Sequence, residues 1–313
     1  MPFTKAPQVY NAAIKTVTIG TGDAACVLGG ENVMPLCTFD AAIENRPLIG
    51  VQVSDKGVDK TLPQVAAFYE GADTVVEQAK RAAEMPGADF VVISLDSADP
   101  NGEDASIDDC VALCKEVAEA ISAPLGIIGS KNADKDEKLL EALAEALQGK
   151  NVLLLSAREE NYKGIAAAAG LAYGQKFGAE SSVDINLAKQ LNVLIGQLGV
   201  GAESTVMNLG TAAAGYGFEY VISTMDRVKA AALEQNDGTL QMPIVTPVAS
   251  EAWGVKEAVS EESEQPEWGP REERGIQMEI TTAAADLASG SNAVILMHPA
   301  SVATVSALIA DLM

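Results

Sequence analysis

Short apolar stretches alternate along the chain with longer stretches in which apolar residues recur every three or four positions. The short stretches predict strands, and the longer ones predict helices with one apolar face. The strand candidates cover residues 48–53, 90–95, 125–129, 152–156, 176–179, 205–208, 242–248 and 293–297. Strands that alternate with helices in this way predict a parallel sheet covered by helices.

The helical stretches carry their charge on the face opposite the leucines. In residues 184–198, Leu187, Leu191, Leu194 and Leu198 recur on one face, and residues 134–147 repeat this spacing with acidic residues on the other side. Eight strand-helix units favour an α/β fold of the closed (β/α)₈ type, the TIM barrel. An open doubly wound sheet is the alternative.

Two regions depart from the alternation. Residues 1–46 contain two short β-rich runs, 14–19 and 24–28, on either side of a glycine-rich turn, which predicts an N-terminal β-hairpin extension. We expect this hairpin to close the bottom of a barrel formed by residues 47–313. Residues 254–275 combine acidic residues with prolines and glycines, and they predict a long insertion after strand seven.

The charge composition of the chain limits the kinds of molecule that it is expected to bind. With 21 basic and 44 acidic residues, the chain has a net charge of −23, which repels phosphate backbones and anionic lipid head groups. We therefore expect no nucleic acid and no membrane partner. The first residues show no secretory signal, and four cysteines are too sparse for a disulfide framework, so a cytoplasmic location is expected.

A glycine pattern near the N-terminus matches a nucleotide-binding motif only superficially. Residues 20–25 read Gly-Thr-Gly-Asp-Ala-Ala, which fits the dinucleotide fingerprint with alanine last. That motif must open a long helix, whereas Gly29, Gly30 and Pro35 interrupt the following segment. The hairpin turn is the better interpretation.

The candidate metal ligands are few. Cys110 and Cys114 stand four residues apart on a predicted helix, but they share its apolar stripe, so core packing is favoured over a metal site. The single histidine, His298, cannot build a multi-histidine site, and a structural role is as compatible with it as a chemical one. The cysteine spacing matches no usual iron-sulfur motif.

Two segments after late strands are candidates for binding. Residues 208–217 contain three glycines and three alanines, a composition that admits either close approach of a large ligand or a tightly packed turn. Residues 246–254 bring hydroxyl groups, a carboxylate and Trp253 to the same end of the barrel. Trp253 is either a contact anchor or a cover for the barrel rim.

At these segments the sequence resembles a known family. Residues 210–220, 224–233, 240–244 and 251–253 resemble the small subunit of the corrinoid iron-sulfur protein, which is related to the delta subunit of the archaeal acetyl-CoA decarbonylase/synthase complex. The resemblance extends over nearly the whole chain. It implies a (β/α)₈ subunit that pairs with a large subunit and covers one face of a cobalamin held between them.

The resemblance also implies a function and partners. Methyl groups would pass from methyltetrahydrofolate, through a methyltransferase, to the corrinoid and then to acetyl-CoA synthase/carbon monoxide dehydrogenase. The [4Fe-4S] cluster is expected only on the large subunit, and this chain is expected to be non-catalytic and without metal ligands. The residue two positions before His298 is Leu296, so the Asp-x-His-x-x-Gly cobalt-ligand motif is missing there. The residues expected to contact the cofactor are Asn208, Gly210, Thr211, Gly215, Tyr216, Gly217, Thr246 and Trp253.

Two other functions compete with the methyl-carrier interpretation. A pterin-dependent methyltransferase barrel would bind methyltetrahydrofolate itself, with Asp96, Asn208 and Ser156 at strand ends as candidate ligands of the pterin. An inert stabilising partner is the third interpretation. Titration of the isolated chain with methyltetrahydrofolate separates the first two, because tight binding favours the enzyme.

Overall fold

All eight predicted strands between residues 48 and 297 are present in the computed structural model, which describes residues 6–313. The ten strands within these described residues are β1 (Val17–Ile19), β2 (Cys26–Leu28), β3 (Leu48–Ser54), β4 (Phe90–Ser94), β5 (Leu125–Ile128), β6 (Leu153–Ala157), β7 (Lys176–Glu180), β8 (Thr205–Asn208), β9 (Val245–Thr246) and β10 (Ala293–Leu296). Strands β3 to β10 form one parallel sheet, in the order β8-β7-β6-β5-β4-β3-β10-β9.

The two ends of this sheet meet, so the sheet is a nearly closed barrel. A parallel bridge joins Met207 of β8 to Ile244, just before β9, and the Met207 amide donates to the Pro243 carbonyl at 2.7 Å. The (β/α)₈ prediction is therefore confirmed. Strand β9 is only two residues long because Pro243 and Pro247 lack the N–H group that a ladder needs.

Helices cover the outside of the barrel. They are α1 (Pro63–Phe68), α2 (Val75–Ala83), α3 (Ile107–Ala120), α4 (Ala133–Ala146), α5 (Tyr162–Ile165), α6 (Ile185–Gln197), α7 (Phe218–Leu233), α8 (Val248–Ala252), α9 (Lys256–Val259), α10 (Arg271–Ser289) and α11 (Pro299–Leu312). A π-helical segment, Ala166–Ala172, follows α5. Within residues 6–313, no helix is both long enough and apolar enough to cross a membrane.

The N-terminal hairpin is confirmed, and it fills the amino end of the barrel. Strands β1 and β2 pair antiparallel, and the buried side chains of Val17, Ile19 and Leu28 join the same apolar cluster as Phe90 and Leu153 inside the barrel. The glycine pattern of residues 20–25 lies in the turn of this hairpin, which rules out its use as a dinucleotide-binding turn. The boundary at residue 46 between the N-terminal extension and the barrel stays a prediction.

The segment predicted as an insertion contains short ordered elements. Helix α9 and a 3₁₀ turn, Pro266–Trp268, lie within residues 254–275. Helix α10 begins at Arg271, so the last five residues of the predicted insertion form its first turn and a half. Pro270 directly precedes this helix as its N-cap residue.

Candidate functional site

The inner face of the barrel changes from apolar to polar along the strands. Phe90 and Val92 of β4 point into the apolar interior, whereas Ser94, two residues further along the same face, bonds to polar neighbours. Val206 and Asn208 of β8 show the same change. The carboxyl ends of the strands therefore present a polar floor, at the face where (β/α)₈ proteins place their sites.

One cavity on this floor, which we call the Asn208 cavity, has a volume of about 230 Å³. Asn208 Nδ2 donates to Ser156 Oγ at 2.9 Å and to Glu180 Oε2 at 3.4 Å, and Asn208 Oδ1 accepts from the Gly210 amide. The guanidinium of Arg158 binds Glu180 Oε1 at 2.9–3.0 Å. Asn208 thus fixes the hydroxyl and the carboxylate beside each other on the cavity wall.

Strained backbone surrounds the same cavity. Lys131, Ser182 and Val183 all line it, and their φ angles are +65°, +44° and +64°. A β-branched residue such as Val183 rarely adopts this region. The amide of Val183 donates to the Leu209 carbonyl at 2.7 Å, so a bond between the ends of β7 and β8 holds this conformation. Such strain is concentrated at functional sites.

A second cavity, the Asp96 cavity, has a volume of about 300 Å³ and shares Lys131 and Ser250 with the first. Its carboxylate, Asp96 Oδ2, accepts from Ser54 Oγ at 2.6 Å and from Ser94 Oγ at 2.8 Å. The two cavities therefore form one polar surface around the loop that carries Lys131.

Trp253 lines the Asp96 cavity and packs on His298. The two rings are 5.5 Å apart between centroids and inclined by 15°. His298 is fully buried at the start of α11, where Nδ1 accepts from the Ala300 amide and Nε2 lies 3.1 Å from Glu272 Oε1. Burial lowers the pKa of His298. The ring is therefore neutral at neutral pH, and because Nδ1 accepts, Nε2 carries the proton and donates to Glu272.

The loop of residues 209–217, which we call the rim loop, is anchored to the long helix α10. Thr211 Oγ1 donates to Asp286 Oδ2 at 3.0 Å, and the Ala214 amide donates to Thr282 Oγ1 at 3.1 Å. Further out, Tyr216 is 48% exposed and its hydroxyl donates to Glu257 at 2.6 Å. The loop thus has a fixed inner half and an exposed outer half.

The structure separates the eight predicted contact residues into three groups. Asn208, Gly210 and Thr211 line the Asn208 cavity, and Trp253 lines the neighbouring Asp96 cavity. Gly215, Tyr216 and Gly217 form the outer half of the rim loop and line neither cavity. Thr246 also lines neither; its buried hydroxyl bonds to Ser291 at 2.8 Å, because it faces the helices rather than the barrel interior.

The cysteine pair is part of the core. Cys110 and Cys114 are buried on α3 among apolar side chains, as their shared stripe predicts. Burial raises the pKa of both thiols, which disfavours the thiolate form that binds metals. Within residues 6–313 no group of three or more His, Cys, Asp or Glu side chains is arranged to hold a metal ion.

Sequence reasoning missed Arg158, Glu180 and Lys131. Each lies just after or at the end of a predicted inner strand, and that position is the signal by which they are recognisable. Asp96 and Ser156 were candidates only for the pterin interpretation. Ser156 bonds directly to Asn208, but Asp96 lines the other cavity.

The position of Trp253 depends on a glycine in α10. A Cβ atom at Gly275 would overlap the indole ring. We expect Gly275→Ala to lower the free energy of unfolding by about 1–3 kcal/mol, because the ring or the helix must move. Urea unfolding followed by tryptophan fluorescence measures the change. The control is Gly196→Ala in α6, where a Cβ meets no atom within 4 Å and a slight gain is expected. Equal effects of the two variants would contradict the prediction.

Comparison with known proteins shows which family and which fold this chain shares. The family model described as CO dehydrogenase/acetyl-CoA synthase delta subunit matches residues 16–265. The acetyl-CoA decarbonylase/synthase complex subunit delta of Archaeoglobus fulgidus is 34% identical over 91% of this chain and 63% of its own length. Subunit delta 1 of Methanosarcina thermophila is 33% identical over 94% of this chain and 69% of its own length. The chain spans slightly less than two thirds of the first of these relatives.

Among solved structures, dihydropteroate synthases share the architecture. The enzyme of Xanthomonas albilineans with 4-aminobenzoic acid aligns with a TM-score of 0.59 at 12% identity, over 95% of this chain and 98% of that one. The enzyme of Burkholderia cenocepacia complexed with 7,8-dihydropteroate gives a TM-score of 0.56 at 13% identity, over 96% of each chain. At these identities the likeness extends to the barrel fold and no further.

Proposed function

This chain belongs to the CO dehydrogenase/acetyl-CoA synthase delta subunit family, and on that premise we propose that it is the small subunit of a corrinoid methyl carrier. In this role it covers one face of a cobalamin that a larger subunit also holds. The observation that carries the proposal is the match to delta subunits over 91% of the chain.

The residues at the carboxyl end of the barrel fit a large, flat cofactor with polar arms. The Asn208 and Asp96 cavities supply donors and acceptors side by side, and Trp253 adds an apolar ring. Gly215 projects into open space: a Cβ there meets no atom within 4 Å, and its φ angle of +90° suits glycine. We propose that these two cavities and the rim loop hold the corrinoid.

A bound corrinoid supplies the cobalt centre that accepts and donates a methyl group. The residues of this chain bind, orient and shield it. Asn208 and Trp253 would contact the cofactor, while the bonds from the rim loop to Asp286 and Thr282 hold the inner half of the loop against α10. We assign no proton transfer and no covalent step to this chain.

We propose that the [4Fe-4S] cluster lies on the large subunit. Two of the four cysteines are buried in α3, and the other two, Cys26 and Cys37, are eleven positions apart and belong to the N-terminal extension. This set of donors does not fit a four-cysteine cluster. The same proposal includes a methyltetrahydrofolate methyltransferase and acetyl-CoA synthase/carbon monoxide dehydrogenase as partners, and a cytoplasmic location.

Co-expression with a candidate large subunit tests the assignment. We expect one complex on size-exclusion chromatography that carries cobalamin and a cluster, whereas this chain purified alone contains no stoichiometric iron or sulfide. The measurements are cobalt, iron and sulfide content together with absorption spectra. Separate elution of the two chains at micromolar concentration, or a stoichiometric cluster in this chain alone, would contradict the proposal.

A pterin-binding enzyme is the second candidate function. The bond between Ser156 and Asn208 favours it, since both residues were candidate pterin ligands and they share one cavity. Calorimetric titration of the isolated chain with methyltetrahydrofolate decides between the functions. Micromolar binding without a corrinoid partner favours the enzyme, and no binding favours the methyl carrier.

A further inference from the structure

The wall of the Asn208 cavity places a hydrogen-bond donor next to an acceptor. Ser156 Oγ and Glu180 Oε2 both accept from the same nitrogen, Asn208 Nδ2. Because the serine oxygen already accepts, its own hydrogen remains to donate. Among the described residues 6–313, the one side-chain hydrogen bond of Ser156 Oγ is the bond that it accepts from Asn208. Within the same described residues, the 3.4 Å bond from Asn208 is the one hydrogen bond of Glu180 Oε2, so this oxygen can accept a further bond.

Lys131, Asp136 and Glu251 also line the cavity, but the part of its wall formed by Ser156, Asn208 and Glu180 favours a neutral group over an ion. The negative charge of Glu180 is balanced by an ion pair with Arg158, whose Nε and Nη2 both bind Glu180 Oε1. Arg158 Nη1 donates to the Lys131 carbonyl at 3.1 Å. This leaves Oε2 directed to the Asn208 side. A free anion would approach that carboxylate oxygen, and a cation would approach the guanidinium. A neutral group that both accepts and donates satisfies the wall without an unmatched charge.

Two of the three side chains of this wall, Ser156 and Asn208, are buried, and the side chain of Glu180 is 17% exposed. Ser156 is 7% exposed and Asn208 is 5% exposed. Gly178 of β7 lies beneath them, and a Cβ there would be 2.6 Å from Leu155 Cδ2 and 3.3 Å from Ser156 Oγ. Buried donors and acceptors in fixed positions are costly to leave unpaired, so they discriminate strongly between ligands.

We propose that the Asn208 cavity binds an amide edge, a carbonyl oxygen beside an N–H group, with Ser156 donating to the oxygen and Glu180 accepting from the nitrogen. Two ligands carry such an edge: the carboxamide arms of a corrinoid and the lactam ring of a pterin. The inference deepens the proposed function, on which its corrinoid form rests. The pterin form is distinguished by experiment.

The test uses Ser156→Ala and Glu180→Gln in the co-expressed complex and in the isolated chain. The matched controls are Ser204→Ala and Glu203→Gln, which lie just before β8 at the opposite end of the barrel. Cobalamin affinity of the complex is measured by absorption titration, and methyltetrahydrofolate affinity of the isolated chain by calorimetry. Thermal unfolding checks that each variant is folded.

We expect each site variant to bind cobalamin roughly five- to tenfold more weakly, with the controls unchanged. If Glu180→Gln does not fold, Ser156→Ala alone decides, since it leaves the Arg158 ion pair intact. A loss confined to methyltetrahydrofolate supports the amide edge and overturns the methyl-carrier function. If both folded variants bind cobalamin as tightly as the wild-type protein does, the amide-edge proposal is wrong and the methyl-carrier proposal is unaffected. If the wild-type protein binds neither cobalamin nor methyltetrahydrofolate, both proposals are wrong.

Discussion

Replacement of Lys229 by methionine is expected to lower the free energy of unfolding by about 3–5 kcal/mol, because it leaves the buried carboxylate of Glu31 without its cation. Lys229 Nζ donates to Glu31 Oε1 at 2.8 Å and to Asn292 Oδ1 at 3.0 Å, and the side chains of the ion pair are 2% and 7% exposed. Asn292 also donates to Glu31, at 2.8 Å. Burial alone would raise the pKa of Glu31, but the bonds from Lys229 and Asn292 lower it.

The arrangement ties the N-terminal extension to the amino end of the barrel. Glu31 follows the hairpin, Lys229 lies on α7, and Asn292 precedes β10 and accepts from the Ile244 amide. Without Lys229, either Glu31 takes up a proton or the segment that carries Glu31 moves until the carboxylate is exposed to water. Either outcome destabilises this end of the barrel.

Urea unfolding at neutral pH measures the loss. The control is Lys189→Met, which breaks a surface ion pair with Asp237 and is expected to cost about 0–1 kcal/mol because the lysine side chain is 53% exposed. The double variant Lys229→Met/Glu31→Leu is expected to recover part of the loss, since no buried charge remains. A Lys229→Met variant as stable as the Lys189→Met variant would show that the buried pair does not hold the extension.

The second large effect is a loss of stability with rising pH. Glu279 is fully buried on α10, where its carboxylate accepts from the amides of Met297 and His298 at 2.7 and 3.3 Å. Burial outweighs these bonds and raises the pKa of Glu279 from 4.5 to about 7. Between these values the folded chain holds a proton that the unfolded chain has released. Stability therefore falls as the pH rises through this window, by about 2–3 kcal/mol between pH 5 and 8 for this group.

Glu279→Gln isolates this contribution. Glutamine keeps the oxygen that accepts from Met297 but does not ionise, so the decline in unfolding free energy from pH 5 to 8 is expected to shrink by about 2–3 kcal/mol. The rest of the decline remains in this variant, because burial also raises the pKa of Asp286 to about 8. Glu219→Gln, at an exposed position on α7, is the control and should leave the pH profile unchanged. Identical slopes in the wild-type and Glu279→Gln proteins would refute this account.

The barrel itself was predictable from sequence, because its determinants are local. Strand β4 and helix α4, for example, are each specified by the spacing of their own apolar residues. Eight such units leave few closed arrangements, and the hairpin was recognisable from the turn at Gly20 and Gly22. The predicted strand at residues 242–248 was longer than β9. The spacing of apolar residues does not reveal that Pro243 and Pro247 lack the N–H groups needed for hydrogen bonds to a neighbouring strand.

The candidate site was predictable only in part. Asn208 and Trp253 were predicted because they lie at or a few residues after the ends of predicted strands, and that position is a sequence property. Thr246 also lies near a strand end, but the side chains of a strand alternate between its two faces, and only the register of the assembled barrel shows that Thr246 faces the helices. The outer rim loop was grouped with the cavity because composition does not reveal which half of a loop is anchored.

The sequence by itself determined the order of strands and helices, the acidic exterior and the family. The tertiary structure alone decided which polar groups meet: Ser156 with Asn208 across 52 positions, Glu31 with Lys229 across 198, and Thr211 with Asp286 across 75. Secondary structure is set by neighbours within a few residues, whereas these pairs form only when barrel closure brings distant strand ends and helices together. Their chemistry, including the donor and the acceptor on the wall of the Asn208 cavity, therefore exists only in the folded barrel.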